Sequence, residues 1–409
     1  MIYLDNASTT KPDPRVVQAM LPYLEENYGN PGTVYSFGRE AEKAVSKARE
    51  QVAEYIGAKP DQIIFTSGGS EANNMVIKGI LKSMEIAGRF VTMYSSIEHD
   101  SIMNTVNSLK YGNHLFDFTK IIPSDHGTKG VSVGRDDVEK AVSRIRLVYG
   151  GGVTGLVSVM HTNNETGIRN DIEEIGKYCH DKDIMFHADC VQAAGCEPLN
   201  VDKIGCDFMS LSSHKIHGPK GIGALYVRNK TSISPLIFGG ENQEFGLRGG
   251  TENVPGIVGF GKACEILTND SENNLKYISN LRKRLYDGIV WRLSDYGLHD
   301  IVHINGNLNL DNLGKTMNLR FDGIDGQTLM LLLDSNGVCV STGSACNGHE
   351  TKPSRVLKSI GLTDEEAMSS IRISVSRMNT VDEIDTAAGI IADCAALIAI
   401  SNIPVASIH

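Results

Sequence analysis

Four short segments of this 409-residue chain carry residue types from which chemistry can be built. Lys215 follows an apolar run in Ser210-Leu211-Ser212-Ser213-His214-Lys215. A lysine at a strand end inside a cleft loses its charge by desolvation and becomes a nucleophile toward an aldehyde, forming a Schiff base. Most lysines are solvated surface charges, and taken alone Lys215 reads as one of them. Asp189 closes a second apolar run in His187-Ala188-Asp189-Cys190-Val191-Gln192. A carboxylate there can keep a ring nitrogen protonated and so make the ring an electron sink. Its plainer role is a helix N-cap. In Thr66-Ser67-Gly68-Gly69-Ser70-Glu71, glycine and hydroxyl residues stand where a strand turns into a helix, offering free N–H groups to a phosphate. The segment has neither the ending of a Walker loop nor the glycine spacing of a dinucleotide fold, and alone it is equally a capped turn. Glu98-His99 follows another strand-like run, and an imidazole there can stack on a ring and move protons.

A thiol completes the set. Cys346 stands in Val340-Ser341-Thr342-Gly343-Ser344-Ala345-Cys346-Asn347-Gly348-His349, a polar, glycine-bearing stretch that predicts an accessible nucleophile. The other seven of the eight cysteines read as small buried hydrophobes. Cys346-x-x-His349 has the spacing of half a metal site, but no second pair matches it, so no metal is expected.

The elements that must position these residues alternate in type. Val16, Val17, Met20, Leu21 and Leu24 recur at helical spacing, as do Ala41, Val45, Ala48, Val52 and Tyr55 before a stop at Gly57. Strands are predicted at 63–66, 90–94, 156–161, 184–187, 208–212 and 222–227, with helices at 72–81 and 171–180 between some of them. Such alternation predicts an α/β fold with a mainly parallel sheet covered by helices. A glycine-rich, polar stretch at 239–256 is followed by helical sequence from Gly259, a long helix at 275–293, and mixed short elements. The boundary is placed near residue 256.

In this order the segments make the chain resemble the cysteine desulfurases of the NifS/IscS kind, within the class V aminotransferase group of pyridoxal-phosphate (PLP) enzymes. The resemblance rests on residues 3–10, Gly29-Asn30-Pro31, 66–74, Asn163-Asn164-Glu165-Thr166-Gly167, 187–192, 212–223, Arg248-Gly249-Gly250-Thr251 and Gly343-Ser344-Ala345-Cys346. It implies PLP fold type I, with a large domain at 13–256 built on a seven-stranded sheet. A smaller α/β domain would combine 1–12 with 257–409 and carry the cysteine loop. It further implies that Lys215 holds PLP, Asp189 pairs with its ring nitrogen, and His99 stacks on the ring. Asn164 and Gln192 would bond the phenolic oxygen, and Gly69, Ser70, Ser212 and His214 the phosphate. Thr251 would reach the phosphate of a partner subunit, making the protein a homodimer. Arg372, in Ser370-Ile371-Arg372-Ile373-Ser374, would grip the substrate carboxylate together with Asn164, while Arg377 is read as structural.

The implied activity converts L-cysteine to L-alanine, leaves a persulfide on Cys346 and passes the sulfur to an acceptor protein. Iron–sulfur cluster assembly, tRNA thiolation and DNA sulfur modification are all open destinations. Two alternatives stand beside it: a selenocysteine lyase or another β-eliminating PLP enzyme, disfavoured by the thiol, and a sulfur-carrier scaffold that needs a partner, disfavoured by the intact set of Lys215, Asp189, His99 and Cys346. Two departures from the family pattern are Cys190, beside the cofactor aspartate, and a stretch at 239–244 that is one residue longer than usual.

Composition narrows the setting. With 39 Lys+Arg against 49 Asp+Glu, a net charge of -10 and no basic block, direct nucleic-acid binding is not expected. The N-terminal residues lack the basic-then-apolar order of a signal peptide, and the apolar stretch 387–400, interrupted by Asp393, is expected to be a core helix rather than a membrane span. Scattered cysteines without a Cys-x-x-Cys pair suit reduced thiols in a cytoplasm.

Overall fold

The computed structural model describes residues 1–84, 90–110, 116–127, 130–149, 154–306, 309–342 and 352–401. At its centre is a seven-stranded sheet in the spatial order Ile63–Thr66, Gly223–Val227, Phe208–Ser212, Met185–Asp189, Thr154–Met160, Phe90–Ser95, Phe116–Ile121. Neighbours are parallel throughout except around Gly223–Val227, which is antiparallel to both of its partners. Strands such as Ile-Ile-Phe-Thr at 63–66 and Gly-Ala-Leu-Tyr-Val at 223–227 are buried at every position, because helices cover both faces. Six of the seven strands follow the sequence expectation, shifted by a residue or two at their ends. The seventh, Phe116–Ile121, was not anticipated. It lies at the sheet edge, is partly exposed from Asp117 to Lys120, and alternates Phe116 and Phe118 with polar neighbours instead of forming an apolar run.

Helix Pro14–Glu25 starts at Asp13, whose side chain accepts from the Arg15 N–H. Helix Ser36–Ile56 buries Ala41, Ala44, Val45, Ala48 and Val52 along one stripe and ends at Gly57, whose φ of 68° is the left-handed C-cap that glycine tolerates best. Both pack on a 41-residue helix, Val254–Ser294. Its start is capped by the Asn253 side chain, which accepts from Gly256 N–H. The expected boundary near residue 256 therefore falls inside the first turns of one continuous helix. Its first half, through Ile257, Phe260, Cys264 and Leu267, belongs to the core beneath the central sheet. Its second half sends Leu281, Leu285, Ile289 and Leu293 into a separate core. That second core also holds Leu4 and the antiparallel sheet Val302–Ile304, Thr316–Phe321, Ser370–Ser374.

The last helix is longer than expected, 21 residues at Val381–Ser401, and by length and composition it could cross a membrane. Here Ile384, Ala387, Ala388, Ile391, Ala392 and Ala395 fill the second core instead. Its outer face carries Asp385 and Asp393, ion-paired to Arg284 and Arg292 of the long helix.

Candidate active site

The carboxyl ends of the central strands open into a cavity of about 590 Å³, the place where open α/β sheets collect ligands. Lys215 ends a short 3-10 turn, Ser213–Lys215, directly after strand Phe208–Ser212. Its Nζ donates to the carbonyls of Ala7 and Ser8 at 2.6 and 2.7 Å, so the N-terminal segment forms the opposite wall. Burial, and then the cations Lys315 and Arg372, pull Lys215 down to about 7, against the opposing pull of Asp5 and Asp189. A large fraction of this amine is thus uncharged at neutral pH.

Asp189 is the last residue of strand Met185–Asp189 and is 4% exposed. Its Oδ1 accepts from Val191 N–H at 3.0 Å, the cap-like bond of the plainer reading, while Oδ2 accepts from Asn73 Nδ2 at 2.8 Å. Both bonds fix the carboxylate at the cavity wall. Asn73 lies in the 66–74 segment quoted above, but nothing in its type or spacing signals that it aims Asp189.

Gly69 opens helix Gly69–Met84 at the cavity, and a side-chain carbon there would come within 2.6 Å of Val191 Cγ2. Only glycine lets this helix end approach so closely. Ser70, Ser212 and His214 line the same region. The His214 Nδ1 lies 3.1 Å from Thr9 Oγ1, and burial followed by nearby lysines lowers the imidazole to about 4, so it is neutral.

His99 caps helix Asp100–Leu109 at the cavity rim. Its Nδ1 accepts from Ser101 N–H at 3.1 Å, which leaves the ring proton on Nε2. Its neighbour Glu98 is fully buried, with Oε1 accepting from Met160 N–H at 2.8 Å. Burial and then Asp189 push Glu98 well above the usual carboxylate range, with the Met160 N–H and Arg355 opposing.

Arg372 enters from the antiparallel sheet and joins the cavity to the N-terminal segment. Nη2 donates to Asp5 Oδ1 at 2.9 Å and Ser8 Oγ at 2.7 Å, and Nη1 to the Asn164 carbonyl at 3.2 Å. The buried Nε has no hydrogen-bond partner among the described residues. Asp5 was quoted as part of a motif, yet its pairing with a residue 367 positions away left no trace in local sequence. Arg377, read as structural, pairs with Asp13 at 2.6 Å.

Cys346 and residues 343–351 lie outside the described residues. Their two flanks are described, and both line the cavity through Ser341, Thr342 and Lys352–Arg355. Ser341 exchanges two backbone hydrogen bonds with Arg372. On the returning side Arg355 donates to the carbonyls of Ser96 and Glu98, immediately before His99, and the Ser354 hydroxyl donates to Glu165. Thr251 is exposed and does not line this cavity. Cys190 is fully buried, its thiol pushed well above its ordinary range by burial first and then by Cys206 and Asp189. That environment makes it inert.

The residues fit a phosphorylated heteroaromatic aldehyde. Asn164 Oδ1 and Gln192 Oε1 belong to cavity-lining residues, are buried, and have no hydrogen-bond partner among the described residues. A ring hydroxyl would donate to one of these oxygens, and the Asn164 amide, turned over, would donate to the hydroxyl's own oxygen. The amine, the fixed carboxylate and the close helix N-terminus suit the aldehyde, the ring nitrogen and the phosphate respectively.

Comparison with known proteins gives the same reading. The Aminotransferase class-V family matches residues 2–386. The cysteine desulfurase IscS of Dictyoglomus turgidum is 40% identical over 385 residues, 94% of this chain and 92% of that protein. The NifS-like protein of Rickettsia africae superposes with a TM-score of 0.79 at 32% identity, over 96% of this chain and 99% of that one. SspA, solved in complex with cysteine, superposes with a TM-score of 0.73 at 33% identity, over 93% and 100% of the two chains.

Proposed function

The chain belongs to the class-V aminotransferase family of PLP enzymes, and on that premise we propose that it is a cysteine desulfurase, converting L-cysteine to L-alanine and taking up the sulfur on Cys346. One observation carries the assignment of the thiol: the segment holding Cys346 leaves from the residue paired with Arg372 and returns onto the turn before His99. Cys346 stands four residues after Thr342, which lines the cavity. A β-eliminating lyase has no use for a thiol tethered there.

Lys215, Asp189, His99, Asn164, Gln192, Gly69, Ser70, Ser212 and His214 would hold PLP, which when bound supplies an electron sink for charge developing at the substrate Cα. Arg372, which lines the cavity, would orient the substrate through its carboxylate, while Asp5 and Ser8 keep the guanidinium in place. Lys215 Nζ, uncharged in a large fraction of molecules, accepts and returns the Cα proton. The Cys346 thiolate attacks the substrate sulfur. An S–S bond forms as the C–S bond breaks, and that electron pair stays with the carbon skeleton, which is protonated and leaves as alanine. His99 Nε2 would move a proton during this exchange.

The sulfur then passes to an acceptor protein, and the seven described cysteines, all free, suit a reducing cytoplasm. Cys346→Ser tests the central claim. It should load PLP as wild type does and release no alanine, because a hydroxyl is a far weaker nucleophile toward sulfur. Wild type given L-cysteine without reductant should gain one sulfur on the Cys346 peptide by mass spectrometry. Turnover by Cys346→Ser at the wild-type rate would overturn the mechanism.

A further inference from the structure

Lys315 immediately precedes strand Thr316–Phe321 and is only 4% exposed. Its Nζ donates to the Lys215 carbonyl at 3.0 Å, where that group ends the Ser213–Lys215 turn. No carboxylate pairs with Lys315 among the described residues. The neighbouring Cys196 thiol is pushed up to about 11, chiefly by burial, and supplies no counter-charge at neutral pH. Burying an unpaired ammonium is costly. Capping a turn carbonyl requires only a neutral hydroxyl or amide donor, so a lysine buried there calls for an explanation.

We propose that Lys315 is a positioning residue for Lys215: its buried ammonium fixes the 213–215 turn through the Lys215 carbonyl and, as an uncompensated like charge behind it, favours the uncharged, nucleophilic amine. The proposal rests on the reading that Lys215 carries PLP. The charged and titratable groups facing Lys215 are Lys315 and Arg372 from the antiparallel sheet, Asp5 from the N-terminal segment, Asp189 from the central sheet and the neutral His214 of its own turn. Arg372 is already neutralised by Asp5 at 2.9 Å, which leaves Lys315 as the cation without a partner charge. Burial lowers Lys315 as well, Arg372 adding to the effect and Cys196 opposing it. Donation to a carbonyl favours its charged form.

The test uses the full chain freed of cofactor. Lys215 is labelled with an amine reagent across pH, and the midpoint is read by peptide mass spectrometry in wild type, Lys315→Met and Lys315→Arg. The midpoint in Lys315→Met should rise by about one pH unit. Capture of added PLP below that midpoint should slow by about tenfold. Lys315→Arg, which keeps the charge, should hold the wild-type midpoint. A folded Lys315→Met with an unmoved midpoint sinks the proposal and leaves Lys315 as a turn cap. If Lys315→Met does not fold, a raised midpoint in Lys315→Arg sinks it equally, and an unmoved one supports it. Borohydride reduction of the wild-type holoenzyme separates the two claims. An adduct on a lysine other than Lys215 refutes the underlying reading, whatever Lys315 does.

Discussion

Asp189 shows how one carboxylate can satisfy two readings at once. Its Oδ1 makes the short-range bond to Val191 N–H that any turn aspartate makes, and Oδ2 is aimed by Asn73 from helix Gly69–Met84. Asp189→Asn keeps the shape and one acceptor but removes the charge. It should still bind PLP, shown by an unchanged stoichiometry of cofactor per chain. Alanine formation should fall by roughly two orders of magnitude, the scale of losing one preorganised electrostatic contact in an active site. Near-normal turnover would mean that Asp189 is only the cap. At this scale sequence reading singled out residues with distinctive chemistry in quoted motifs, and the cavity brings Lys215, Asp189, His99, Gly69, Ser212 and Arg372 together. It was blind to the residues that aim them. Asn73, Asp5 and Lys315 are ordinary polar side chains whose meaning comes from partners 116, 367 and 100 positions away.

Between elements, the same contrast between local and long-range information recurs. Buried parallel strands advertise themselves as short apolar runs, whereas the edge strand Phe116–Ile121 alternates and was passed over. The long helix read as two segments because its buried face changes from one core to the other along its length. A polar ladder crosses three of the central strands: Ser158 Oγ lies 2.9 Å from His187 Nδ1, and His187 Nε2 lies 3.0 Å from Ser210 Oγ. All three residues are fully buried, and burial lowers His187 to about 4, with Asp189 opposing. A folded-state value below the ordinary value near 6.5 means that the unfolded chain binds the proton more readily. The stabilisation from a neutral His187 is therefore complete above about pH 6.5 and is lost as pH falls toward 4. Against His187→Gln, which cannot titrate, wild type should lose about 1.4 kcal/mol of unfolding free energy per pH unit across that window, roughly 3 kcal/mol in all. Urea denaturation of both proteins at several pH values measures this directly. A constant difference between them would show that the imidazole is not held neutral within the sheet.

For the whole molecule, the outstanding question is what Thr251 does, since it is exposed and lies off the cavity of its own chain. The segment leading to it is held firmly. Gln243 Oε1 accepts from Gly240 and Gly250 N–H, and Arg248 pairs with Glu71 at the start of the helix that opens on Gly69. The buried Glu244 pairs with Arg49 at 2.7 Å, although Glu244 and Phe245 adopt left-handed φ of 43° and 58°. Strain of this kind persists only where surrounding contacts over-determine it. At this segment Val34, Phe238 and Phe245 are 87%, 69% and 46% exposed, apolar side chains that a second chain can cover. We therefore expect a homodimer in which Thr251 serves the phosphate site of the neighbouring chain. Analytical ultracentrifugation should give twice the chain mass, and Thr251→Val should weaken PLP retention without altering that mass. A mixed dimer decides between the two geometries. One chain carries Lys215→Ala with Thr251 intact, and the other carries Thr251→Val with Lys215 intact. If Thr251 acts across the interface, the one competent Lys215 site receives an intact Thr251 from its partner and binds PLP as tightly as wild type. If Thr251 acts within its own chain, that site carries the valine and retains PLP as poorly as the Thr251→Val homodimer.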